Sequence, residues 1–305
     1  AGRGPRPDGT SITMFSGTGG VGKTTCAAAT ALHYASAGRR TLAISTDATP
    51  SLSHIFEIAG NEKPAKVLDS LYVNELGVEE VEEMWDQMFG REVYDVFSSF
   101  VSIEYDEFVE FATSMLPGLG DECMVDYIRG LSGKGEHDAI VWDTAPLGQT
   151  LALLQTPAMI VEHLRMAPRI YSKLKISQIS REPVLDIIKR WQKLSAEDMA
   201  FLRDEVTFVI VTIPEALVVQ QLDGVFGQMK KYGLNVGQLI VNNVIRADGS
   251  DFLRTKASQQ RGYLDLMYDK YSHLRITEIP MFPYEVKGTD RLKEVERILF
   301  EGDDG

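Results

Sequence analysis

Residues 17–25 read Gly17-Thr18-Gly19-Gly20-Val21-Gly22-Lys23-Thr24-Thr25, a GxxxxGK[ST] spacing. Its flanks decide the fold. Ser11–Phe15 before it is an apolar run of strand character. Lys23–Ala37 after it is Ala-rich, a helix pattern that stops at Gly38. In a strand–turn–helix setting the glycines let backbone N–H groups converge on phosphate oxygens without Cβ clashes. The helix adds the positive end of its dipole. Lys23 is then expected on the β- and γ-phosphates, with Thr24 as a ligand of Mg²⁺. ATP or ADP with Mg²⁺ is the expected cofactor, held by residues 17–25. A glycine-rich turn matching by chance would not bring this context with it.

Working outward, Thr41–Thr46, Ala139–Trp142, Thr207–Thr212, Gln238–Val244 and Ile276–Met281 are short apolar runs, with Leu71–Asn74 a shorter one. They lack alternation, as strands covered on both faces do. Helical stretches separate them, and Pro214 suits the first turn of a helix reaching about Tyr232. The expected fold class is α/β, a doubly wound, mostly parallel sheet of the P-loop type. Residues 78–132 and 150–205 break the rhythm with long helical patterns. Val78, Val81, Met84, Trp85 and Met88 recur at helical spacing in the first; Ile187, Ile188, Trp191 and Leu194 do so in the second. The expected organisation is a structureless lead-in at 1–10 and one P-loop domain over 11–305. The two helical insertions interrupt that domain and form a subdomain.

Composition narrows the function classes. A net charge of −13 and a pI of about 4.9 argue against nucleic acid and anionic membrane surfaces as partners. Two cysteines, Cys26 and Cys123, with no CxxC pair argue against a thiolate zinc site and a disulfide scaffold. The reduced cytoplasm is the expected compartment. No apolar run approaches the roughly 18 residues that span a bilayer. Arg291–Phe300 is amphipathic, but Glu294, Glu296, Glu301, Asp303 and Asp304 argue against a membrane anchor there.

Two carboxylates stand at strand ends. Asp143 closes Ala139–Trp142, where P-loop enzymes commonly place a magnesium ligand. Asp47 closes Thr41–Thr46 on the same expected sheet edge. From position alone, Asp47 reads equally as a capping residue or as the group that positions the attacking water.

With these residues in hand the sequence resembles one ATPase family, that of the arsenite-pump subunit and the tail-anchored-protein targeting factor. Both belong to the deviant Walker A class. The loop is similar to the family's GKGGVGKTT. Ser45-Thr46-Asp47-Ala48-Thr49-Pro50-Ser51-Leu52-Ser53 resembles its first switch, and Asp143-Thr144-Ala145-Pro146-Leu147-Gly148-Gln149-Thr150-Leu151 its second. Thr212-Ile213-Pro214-Glu215, Val241-Asn242-Asn243 and Leu116-Pro117-Gly118 match further family turns in order. The resemblance implies that Asp47 orients the hydrolytic water and that Asp143 with its loop reports on the γ-phosphate. It implies that Asn242 bonds the adenine edge, and that the region Phe282-Pro283-Tyr284-Glu285 closes over the base. It implies a homodimer, or pairing with a paralogue.

The sequence departs from the family in three ways. The family's signature lysine, which reaches the partner's phosphates across a dimer, is Thr18 here. That puts dimer-coupled stimulation of hydrolysis in doubt while leaving Lys23 to bind nucleotide. The zinc-binding CxxC of targeting factors is absent. The three cysteines of metalloid-binding pump subunits cannot be formed from two.

Seven of the eleven methionines fall between Met84 and Met199, and residues 78–110 carry eleven acidic residues against Arg91 alone. This reads either as an adaptable apolar groove with a charged rim or as amphipathic helices packed on one another. The resemblance favours a groove for a hydrophobic helix of a client membrane protein. The resulting expectation is a Mg²⁺-dependent ATPase whose nucleotide state controls such a surface. The alternatives are a metalloid-stimulated pump subunit, a partition-type ATPase, and a regulatory family member with little turnover.

Overall fold

The fold is that of a computed structural model, which describes residues 10–46, 51–58, 63–98, 104–109, 119–144, 181–246 and 250–301. Asp47, the Leu116–Gly118 turn, the loop beyond Thr144 and most of the lead-in lie outside them.

The central strand, β1 (Ser11–Gly17), is buried along nearly its whole length, as its apolar run requires. It leads through the glycine loop into α1 (Lys23–Ser36), which ends where Gly38 takes φ +79°. β2 (Thr41–Ser45), α2 (Leu52–Ile55), β3 (Ala65–Leu68) and β4 (Leu71–Glu75) follow. Next come α3 (Val78–Trp85), a π-helical turn at Asp86–Gly90, α4 (Arg91–Ser98), α5 (Leu119–Lys134) and β5 (Ala139–Asp143). The chain continues with α6 (Arg181–Asp204), β6 (Val206–Thr212), α7 (Ala216–Tyr232) and β7 (Asn235–Val244). It closes with α8 (Asp251–Lys270), β8 (Arg275–Pro280) and α9 (Gly288–Phe300).

The strands form one sheet ordered β3-β4-β2-β5-β1-β6-β7-β8, every pair parallel except β3–β4. This is the α/β, mostly parallel sheet that the sequence predicts. Parallel strands share a C-terminal edge, and in open α/β sheets that edge carries the ligand crevice. Register makes the edge concrete. Glu75 of β4 pairs with Ser45 of β2, Ser45 with Asp143 of β5, and Asp143 with Phe15 of β1.

Two local readings change. The helix after β6 begins at Ala216, with extended Glu215 as its N-cap, because a tight turn links the Glu215 N–H to the Ile213 carbonyl at 2.8 Å. Pro214 therefore stands ahead of the helix rather than in its first turn. β3 carries no apolar run: it is an antiparallel edge strand whose Lys66 and Leu68 are exposed. Edge strands need only one apolar face, and Lys66 suits an edge that must not pair further.

The chain divides into two compact units, residues 1–76, 131–150 and 203–305 in one and 77–130 and 151–202 in the other. In the first, the alanines of α1 (Ala27, Ala28, Ala29, Ala31) admit close approach to the sheet, and Leu292, Val295 and Leu299 of α9 belong to the same core. In the second, Trp85, Phe108 and Cys123 form a small core with Met84, Phe89, Tyr94 and Val109 against it. There Arg129 bonds Asp198 at 2.8 Å and Glu197 at 3.2 Å, tying α5 to α6. Fully buried Asp198 is thus paired with a guanidinium, as a buried carboxylate must be.

Candidate functional site

The glycine loop is shaped by two close contacts that exclude a Cβ and by two positive φ angles. A Cβ on Gly17 would lie 2.2 Å from the Val211 carbonyl oxygen of the neighbouring strand. Gly20 and Gly22 hold φ of +76° and +92°, the left-handed region that favours glycine. A Cβ on Gly22 would also lie 2.3 Å from Nδ2 of Asn242. That amide donates to the Val21 carbonyl at 2.9 Å, so β7 clamps the loop from across the sheet edge. Gly19 and Gly20 are exposed at the loop tip, and Val21 is fully buried.

Gly22 is the N-cap of α1, and the first turn of α1 carries no carboxylate. The free N–H groups of that turn therefore meet no fixed negative charge from the helix itself, which suits an anion. Lys23 is buried, and its ammonium donates to the Thr18 carbonyl at 3.1 Å. The Thr18 hydroxyl is buried without a hydrogen-bond partner among the described residues.

The Thr24 hydroxyl donates to Oδ2 of Asp143 at 2.7 Å, so α1 and the end of β5 meet at one point. Asp143 is fully buried, and Thr144 beyond it donates to the Phe15 carbonyl at 2.8 Å. Ser51 Oγ stands 3.4 Å from Thr24 Oγ1. A hydroxyl and a carboxylate converging beside a phosphate loop are hard oxygen donors of the kind that hold Mg²⁺ with few protein ligands, the rest being phosphate and water. Among the described residues no group of three or more His, Cys, Asp or Glu side chains converges to hold a metal without such help.

A pocket of about 490 Å³ opens beside the loop. Its lining combines Gly20, Gly22, Thr25 and Cys26 of the loop and α1 with Asn242 and Asn243, with Ile279, Phe282, Tyr284 and Val286, and with the polar side chains of Ser51, His54 and Glu285. Phe282 and Tyr284 stack with ring centroids 5.5 Å apart, and Arg291 covers the Tyr284 ring at 3.6 Å. The phenol donates to Glu294 at 2.5 Å, which raises its pKa. Apolar surface beside a few placed polar groups is the form a planar base requires. Pro283 is exposed and stands outside the pocket wall. Burial, reinforced by the nearby Asp143 charge, pushes the Cys26 thiol up to about 12, so it is a packed thiol and not a nucleophile.

The structure thus brings together Gly17–Thr25, Asp143, Asn242 and Tyr284 at one sheet edge. Two contributors were missed by sequence reasoning. Glu75 ends β4 as Asp143 ends β5, and its Oε1 accepts from the N–H groups of Ser51 (2.6 Å) and Leu52 (2.9 Å). The same strand-end signal that flagged Asp143 was available for it. Gln260 of α8 accepts from Ile245 N–H at 2.7 Å and donates to the Asn243 carbonyl at 3.1 Å, bracing the turn where Asn243 takes φ +58°. A single glutamine in an exposed helix gives no sequence signal.

Comparison with known proteins agrees with this geometry. The family profile described as anion-transporting ATPase matches residues 10–301. The chain is 28% identical to putative arsenical pump-driving ATPase 2 of Aquifex aeolicus, over 94% of this chain and 98% of that one. It is 25% identical to putative arsenical pump-driving ATPase 1 of the same organism, over 95% and 78%. It is 29% identical to ATPase GET3A of Arabidopsis thaliana, over 91% of this chain and 80% of the relative.

Proposed function

The chain belongs to the anion-transporting ATPase family, and from that premise we propose how it uses ATP: its nucleotide state controls a helical surface that binds hydrophobic segments of tail-anchored membrane proteins. The observation that carries the hydrolytic part is the Thr24–Asp143 bond of 2.7 Å beside buried Lys23 at the start of α1. Thr24 and Asp143 would hold Mg²⁺, directly or through water. The ion, when bound, neutralises phosphate charge. Lys23 stabilises charge on the γ-phosphate, and Asp47 positions and orients the attacking water. Asn242 and Tyr284 bound the base. A pair of subunits, two copies or a copy with a paralogue, opens and closes with nucleotide in the cytoplasm.

The client part rests on the family resemblance and on the second unit. Its core mixes aromatic rings with methionine, a side chain that adapts to varied apolar partners. The metalloid-pump reading is weaker. The chain has two cysteines, both buried, where soft metalloid capture needs accessible thiolates. No described helix is long and apolar enough to cross a membrane.

One set of experiments tests this. Steady-state hydrolysis of Mg-ATP is compared between the parent chain, Asp47→Asn and Thr18→Lys, with light scattering and a crosslinkable tail-anchor peptide alongside. Turnover lost in Asp47→Asn, nucleotide-dependent pairing and nucleotide-dependent crosslinking to residues 77–130 or 151–202 are expected. Crosslinking that ignores nucleotide would refute the client reading. Stimulation by arsenite would favour the pump reading instead.

A further inference from the structure

We infer that Ser51 orients the magnesium ligand Thr24 and that Glu75 is the residue that positions Ser51 to do so. The inference rests on the reading of Thr24 and Asp143 as the magnesium site.

Ser51 stands at the head of α2, where a serine ordinarily turns its hydroxyl back to cap the helix. Here it makes no such bond. The cap comes from another strand. Glu75 Oε1 accepts the N–H groups of both Ser51 (2.6 Å) and Leu52 (2.9 Å), and its Oε2 accepts the Ser53 hydroxyl at 2.5 Å. One carboxylate therefore fixes the backbone on both sides of the Ser51 side chain. Relieved of capping, that side chain brings Oγ to 3.4 Å from Thr24 Oγ1.

Proton counting gives the contact a direction. The Thr24 hydroxyl has one proton, and Asp143 takes it at 2.7 Å. With that proton committed, a hydrogen bond between the two hydroxyls runs from Ser51 to Thr24. A hydroxyl oxygen with its proton on a carboxylate has two lone pairs left. One bond from Ser51 orients that oxygen and leaves the remaining lone pair for a cation. Register supplies the placement: Glu75, Ser45 and Asp143 form one row across β4, β2 and β5. Glu75 thus adds a second carboxylate to the cation-binding edge without itself reaching Thr24. Groups that orient metal ligands commonly change metal affinity by roughly 10–100-fold when removed.

The test measures divalent-cation affinity, not turnover. Mn²⁺ replaces Mg²⁺, and free Mn²⁺ is read by electron paramagnetic resonance in the presence of saturating ADP. ADP affinity in EDTA is measured separately by calorimetry. Ser51→Ala and Glu75→Ala are each expected to weaken Mn²⁺ binding roughly tenfold while changing ADP affinity in EDTA less than about twofold. The double variant should be no worse than the weaker single, because both act through one contact. Glu75→Gln, which keeps a carbonyl acceptor for the two N–H groups, should recover most of the loss. Unchanged Mn²⁺ affinity in Ser51→Ala overturns the inference, whether or not Glu75→Ala folds. So does a Glu75→Ala effect that appears equally in EDTA, or one that adds fully to that of Ser51→Ala. Thr24→Val separates the two levels. If it leaves Mn²⁺ binding intact, the magnesium reading itself has failed. If it abolishes binding while Ser51→Ala does not weaken it, only the role of Ser51 and Glu75 has failed.

Discussion

Replacing Gly22 by alanine should impose two separable costs on the phosphate loop. The first is backbone: φ is +92°, and an L-residue held in the left-handed region costs about 1–2 kcal/mol. The second is local: the new Cβ would lie 2.3 Å from Asn242 Nδ2, so that side chain must turn away. Turning away forfeits its 2.9 Å bond to the Val21 carbonyl, about 0.5–1.5 kcal/mol net. Gly20→Ala is the built-in control. Its φ is +76°, but nothing lies within 4 Å of a Cβ there, so it incurs the backbone cost alone. Strain can surface in the free protein, if the loop is held rigidly, or on binding, if the free loop relaxes. The quantity to compare is therefore the urea unfolding free energy plus the magnitude of the ADP binding free energy. Gly22→Ala should fall below Gly20→Ala in that sum by about 0.5–1.5 kcal/mol, roughly two- to thirteenfold in equilibrium. In an Asn242→Ala background the extra cost should vanish, giving a coupling of the same size. Equal losses in the two glycine variants, or a cycle that adds without coupling, would refute the claim that β7 clamps the loop.

Three further outcomes follow from single contacts. Gly17→Ala would set a Cβ 2.2 Å from a backbone carbonyl of β6, which cannot swing aside as Asn242 can; urea unfolding should show a loss of about 3 kcal/mol or more. The Cys26 thiol, pushed up to about 12 by burial, should give no iodoacetamide adduct by mass spectrometry at pH 8 in the folded protein and a full one in urea. Hydrogen bonds from Arg40 hold the Asp138 carboxyl down at about 2, below its ordinary 3.8. Its contribution to stability is thus complete above 3.8 and lost as pH falls through about 2. An NMR titration of Arg40→Gln should show the Asp138 midpoint rising toward 3.8.

What the sequence revealed, and what it hid, divides by how local the cause is. Strands covered on both faces were legible because such burial writes itself as an apolar run, as in β1 and β5. The loop was legible because glycine at φ +76° and +92° is a local requirement with a fixed spacing. β3 was hidden: an edge strand alternating between half-buried and exposed residues resembles any surface segment. Asn242 needed the family resemblance to be noticed at all. The structure gives it a job that no spacing announces, holding a carbonyl 221 positions away in sequence. Glu75 was legible in principle and overlooked, since what its carboxylate binds is settled only by the return of Ser51 and Leu52 to the same edge.

Thr18 bears on how far one chain can carry the reaction by itself. Within Gly17–Thr25 the only cation is Lys23, and its ammonium is 3.1 Å from the Thr18 carbonyl. A phosphate oxygen competes with that carbonyl for the same ammonium, so binding exchanges one acceptor for a charged one. Hydrolysis concentrates further charge on the γ-phosphate oxygens, and the resemblance implies that relatives meet it with a second lysine. At an effective dielectric of about 20, a unit charge 4 Å away is worth about 4 kcal/mol, close to a thousandfold in rate. The Thr18 hydroxyl carries no charge to replace it. If subunits pair as proposed, restoring the cation by Thr18→Lys should therefore raise their turnover by up to about three orders of magnitude, with ADP affinity nearly unchanged. A Thr18→Lys chain no faster than the parent would mean that charge on the γ-phosphate is already met by Lys23, Thr24 and Asp143 with their ion, and that the threonine costs the reaction nothing.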